Sequence, residues 1–76
     1  MNKPRRKYLQ VLLVQLTEIR DTLEAIKDEE EEYRDNMPEN LQGSERYEKA
    51  DTVCDDLCDA VSNLEEVIAN IENSIE

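Results

Sequence analysis

The chain has no histidine, no tryptophan and no phenylalanine, and only one glycine, two prolines and two cysteines among its 76 residues. Each absence closes a class of function. Without His no side chain of ordinary pKa titrates near neutrality, and the hydroxyls of Ser44, Ser62 and Ser74 have no base to activate them. Carboxylates are plentiful, but a thin helical chain has no water-excluding pocket to tune them, so no catalytic residue is assigned. The chain is read as a non-enzyme. Two thiols fall short of the four ligands of a structural zinc site, and no Gly-containing calcium loop is present. Neither a metal nor a cofactor is therefore expected. Cys54 and Cys58 lie four apart on one helix, where a mutual disulfide fits poorly; they read as reduced thiols, with an intermolecular disulfide as the alternative.

Long apolar runs are missing too. After the basic cluster Lys3, Arg5, Arg6 and Lys7 comes the stretch Tyr8-Leu9-Gln10-Val11-Leu12-Leu13-Val14. It is far shorter than the roughly 20 residues of a membrane span, and it matches no targeting pattern. A cytoplasmic location in the producing cell is expected, with membrane contact confined to a minor surface role for this segment.

What is abundant is charge, at 38% of residues with a formal net of −11. It is unevenly spread. Residues 1–27 carry six Lys/Arg and three Asp/Glu, whereas residues 28–76 carry three and seventeen. So acidic a surface argues against neutralising phosphates, and nucleic acid is not an expected partner. A basic protein is electrostatically suited, and plain solvation is the competing explanation. The densest acidic run, Asp28-Glu29-Glu30-Glu31-Glu32, and a second cluster at Asp51, Asp55, Asp56 and Asp59 form the candidate partner-binding surface.

The apolar residues carry helical periodicity. Pro4 suits a first helical turn, and from there Leu9, Leu12, Leu16, Ile19, Leu23 and Ile26 alternate steps of three and four. The same steps reach Glu30, Tyr33 and Met37. Pro38 ends the helix, and Gly43 with Ser44 supplies a break and an N-cap. A second series follows at Tyr47, Ala50, Cys54, Leu57, Val61, Leu64, Ile68, Ile71 and Ile75. The expected fold is all-α: one antiparallel two-helix hairpin over residues 1–76, coiled-coil-like. Helix 1 would cover about 4–37, a connection 38–43, and helix 2 about 44–75.

Folding the two series together about the connection matches nine layers, from Met37 with Tyr47 through Ile26 with Leu57 to Leu9 with Ile75. Flanking charges agree, since Arg34 then meets Asp51 and Arg20 meets Glu65, while Lys27 meets Cys58. Glu30 falls among the core positions, either packing its stem or forming a polar layer with Cys54. The other flank is apolar. Val53, Ala60 and Val67 on helix 2, with Tyr8, Val11, Val14 and Ala25 on helix 1, are surplus to a two-helix core. Three apolar positions per heptad is the pattern of a larger bundle. These seven residues form the expected oligomer interface of a homodimer or tetramer built as a four-helix or larger bundle, with a heteromeric helix as the alternative.

The segment Asp35-Asn36-Met37-Pro38-Glu39-Asn40-Leu41-Gln42-Gly43-Ser44-Glu45-Arg46-Tyr47, between acidic helices, resembles the small acidic hairpin proteins of phages and mobile elements. No catalytic or binding residues carry over from that likeness. It implies a viral, non-enzymatic context, in which small acidic proteins inhibit host machinery, including defence systems. The expectation is thus a stoichiometric protein-binding inhibitor acting as a homo-oligomer on a host protein. The rivals are a purely structural assembly bundle and a sponge for a small nucleotide signal, for which only Tyr8 with Arg5, Arg6 and Lys7 offers a ring and cations.

Overall fold

In the computed structural model, which describes residues 1–76, two long helices pack side by side: α1 (Lys3–Asp35) and α2 (Glu45–Ser74). The molecule is a rod with extents of 59 × 15 × 14 Å. Local chemistry sets both starts. The Asn2 carboxamide accepts from the Arg5 N–H at 2.9 Å, just ahead of Pro4, which needs no partner for a missing donor. The Ser44 hydroxyl accepts from the Tyr47 N–H at 3.3 Å, and its own proton goes back to the Leu41 carbonyl. Glu45 and Glu48 then lie in the first turn of α2, where the helix dipole favours negative charge.

Helix α1 stops two residues earlier than periodicity suggests. Pro38 disfavours helical geometry at Met37, so the helix closes with the Asn36 N–H on the Glu32 carbonyl at 3.0 Å. Met37 leaves the helix and is buried, capping the closed end of the hairpin. The connection contains a three-residue 3-10 turn, Glu39–Leu41, a detail the spacing of residues does not encode. Gly43 serves no left-handed turn, and a Cβ added there would meet nothing within 4 Å.

Helix α2 presents the expected face. Ala50, Cys54, Val61 and Ile68 are buried, with Tyr47, Leu57, Leu64, Ile71 and Ile75 half-buried. Helix α1 does not, and it is rolled about its axis. Leu9, Leu16, Leu23 and Glu30 are half-buried as expected, but Leu12, Ile19, Ile26 and Tyr33 remain 45, 55, 46 and 49% exposed. Their place beside α2 goes to Leu13, Arg20, Lys27 and Arg34. The three cations keep only 31, 18 and 21% of their side chains exposed. Long aliphatic stems explain the roll: each cation lays methylenes along the seam and leaves its head at the edge among carboxylates.

Candidate interaction surface

The roll divides the hairpin into two unlike flanks. On the first, the Arg34 guanidinium bridges Asp35 at 3.0 Å and, across the helices, Asp51 at 2.9 Å. This is the interhelical pair that the register requires. Asp35 first, then Asp51, hold Arg34 more firmly in its charged form. Lys27 sits between Asp28 at 3.2 Å and Glu31 at 3.3 Å, and these two carboxylates, Asp28 foremost, raise its pKa. Arg20 turns to its neighbour Asp21 at 3.0 Å rather than bonding Glu65; Glu65 contributes only a weaker field at that guanidinium. The predicted contact of Arg20 with Glu65 is thus replaced by a local one, because an adjacent carboxylate needs no stretched side chain.

Between these groups lies Cys54. Burial raises its thiol pKa, Arg34 pulls it the other way, and Glu31, Glu30 and Asp51 add to the rise. Glu30 is half-buried in this layer. Cys58, one turn on, is exposed, and both cysteines are free thiols. No group of three or more Cys, Asp or Glu side chains is arranged to hold a metal ion.

The opposite flank is apolar. Leu12, Ile19, Ile26 and Tyr33 recur every seven residues along α1, and Val53, Ala60 and Val67 do the same along α2. Residues seven apart share a face of a supercoiled helix, so each set is a continuous stripe. The stripes adjoin, since Tyr33, Ala50 and Val53 line one groove together with Glu45, Arg46 and Lys49. Val53 and Val67 are exposed and Ala60 half-buried, so three of the seven expected interface residues stand on this face. The other four scatter. By helical spacing Tyr8 lies at its margin, Val11 and Ala25 point directly away from α2, and Val14 belongs to the charged flank beside Thr17 and Arg20. Leu12, Ile19, Ile26 and Tyr33, which periodicity assigned to the hairpin core, lie exposed on this face.

The acidic residues occupy the rest of the loop-proximal half. Asp28, Glu31, Asp51 and Asp55 lie on the charged flank, and Glu32 and Asp59 on the backs of the helices. Glu29 and Asp56 sit at the margins of the apolar face. Near the start of α1, Lys3, Lys7 and Tyr8 share a shallow open groove with Pro4 and Val11, whereas Arg5 and Arg6 fall outside it. Neither helix is long and apolar enough to cross a membrane.

The fold and surface define an all-α helical hairpin with one charged and one apolar flank. No protein-family model matches the chain, and no curated protein or solved structure matches it.

Proposed function

We propose that the chain is a non-catalytic protein-interaction module of the bacterial cytoplasm, a phage-type inhibitor that holds a basic host protein stoichiometrically while itself a homo-oligomer. The observation that carries this reading is the segregation of the surface. Leu12, Ile19, Ile26, Tyr33, Val53 and Val67 stay uncovered on one flank, and the carboxylates of the loop-proximal half occupy the other flank and the helix backs, while exposed Val11 and Val14 lie in the opposite half of the rod. Assembly through the first leaves the second facing outward. A basic groove on a partner is the complementary surface, and charge of this kind acts on association rate and selectivity before it adds affinity.

The test is affinity capture from host lysate with the tagged chain, comparing the native sequence with Asp28→Asn, Glu31→Gln and Glu32→Gln combined, which leaves Glu29 at the margin of the apolar face unchanged. A stoichiometric basic partner that is retained by the native chain, released by salt and lost in the variant supports the reading. Equal capture by both removes the acidic surface from it. The rival, a bundle whose sole role is assembly, draws on the apolar flank alone and predicts no stoichiometric partner.

A further inference from the structure

The uncovered face has dimensions and a symmetry of its own. A compact monomer of 8.9 kDa exposes about 4,800 Å² by the usual scaling of surface with mass, whereas this chain exposes 5806 Å². The excess, roughly 1,000 Å², is close to the ~800 Å² that each partner contributes to a stable interface. The excess belongs to the whole rod, and on one face of it Leu12, Ile19, Ile26, Tyr33, Val53 and Val67 are each 41–55% exposed.

We propose that a second copy of this chain covers that face, related by a twofold axis that crosses both helices near their midpoints. The two connections then lie at opposite ends of an antiparallel four-helix bundle. This rests on the reading of the chain as a self-assembling module and gives that assembly its geometry. The stripe from Leu12 to Tyr33 is centred between Thr22 and Leu23, and the stripe from Val53 to Val67 is centred on Ala60. The Arg34–Asp51 pair sets a register in which those two centres lie within one helical turn of each other. A single crossing axis therefore serves both helices. It lays Leu12 on the partner's Tyr33, Ile19 on the partner's Ile26, Val53 on the partner's Val67, and Ala60 on its own symmetry mate.

Charge selects this axis over the other twofold that would also stack the faces, the one running parallel to the helices with both connections at the same end. That arrangement sets Glu29 against the partner's Asp56 twice over. It also superposes the two loop-proximal halves, where residues 28–55 carry eleven carboxylates and three cations. The crossing axis instead sets Glu29 against the partner's Gln15, Asp56 against the partner's Asn63 and Lys49 against the partner's Asn70. It brings the loop-proximal half over the partner's open end, where residues 3–14 and 70–76 carry four cations and two carboxylates. Like charges on facing sites cost enough to reject one packing of an otherwise equal pair.

The experiment uses full-length chains carrying Cys54→Ala and Cys58→Ser, each with one added cysteine: Leu12→Cys, Tyr33→Cys or Val53→Cys. Chains are mixed in pairs, treated with a short bis-maleimide and resolved by mass, and the mass of the uncross-linked parent is measured alongside. The crossing axis predicts at least an order of magnitude more covalent dimer from Leu12→Cys mixed with Tyr33→Cys than from either alone. Covalent dimer from Tyr33→Cys mixed with Val53→Cys instead would establish the same-end arrangement and overturn the proposal. A dimeric parent with no cross-link in either mixture overturns it as well. A helical parent of single-chain mass overturns self-association altogether, and leaves capture of a basic host protein as a separate question.

Discussion

At the scale of single residues, the two thiols record how the layers differ. Cys54 is buried within the field of Arg34 and Asp51, while Cys58 one turn later faces solvent. The neutral form of Cys54 is favoured by burial, and an unfolded chain ionises its thiols first. The stability tied to the Cys54 thiol is therefore fully present below the ordinary thiol range of about 8.5, and is lost as pH rises through the higher folded value. Alkylation at pH 8 should label one thiol per chain quickly and the second at the rate of unfolding. Peptide mapping should place the fast site at Cys58. Two fast thiols would mean that the Arg34 layer is open. Legibility at this scale was partial. The Arg34–Asp51 pair could be read from the register, since both residues flank the seam. The Arg20–Glu65 pair could not, because a carboxylate next in sequence competes for the same guanidinium.

At the scale of elements, α2 was readable and the roll of α1 was not. Every seam position of α2 from Tyr47 to Ile75 is apolar or small, so one face alone can be inward. Helix α1 offers two overlapping stripes that share Leu9, Leu16 and Leu23. One continues through Leu12, Ile19 and Ile26, the other through Leu13, Arg20 and Lys27. Steps of three and four do not distinguish a seam aimed at one neighbour from a seam aimed at the axis of a larger bundle. The cations conceal the second stripe further, because their methylenes count as packing surface although their names count as charge. A quantitative expectation follows. Ile68→Ala in the buried seam should destabilise by roughly 2–3 kcal/mol, and Ile19→Ala on the uncovered face by a comparable amount, about 2 kcal/mol, if a second copy packs on it. For a side chain left in solvent the change would stay within about 0.5 kcal/mol. Chemical denaturation at fixed protein concentration measures both.

At the scale of the molecule, the hairpin accounts for most of the chain but encloses little of it. Five residues are buried, and none of them completely. A 76-residue chain has a marginal core even when compact, and a rod is less compact than a sphere. The antiparallel pairing and the sidedness of charge were legible because an unbroken repeat and a short Pro/Gly connection leave few alternatives. The connection's 3-10 turn and the membership of the apolar face were not, since both depend on how far α1 rolls. The central claim is that this face is an interface rather than a surface. Sedimentation equilibrium of the native chain, spanning low to high micromolar concentration with helicity followed in parallel, tests it most directly. The account predicts twice the chain mass wherever the protein is helical, with dissociation and unfolding occurring together on dilution. A fully helical particle of 8.9 kDa throughout that range would contradict it.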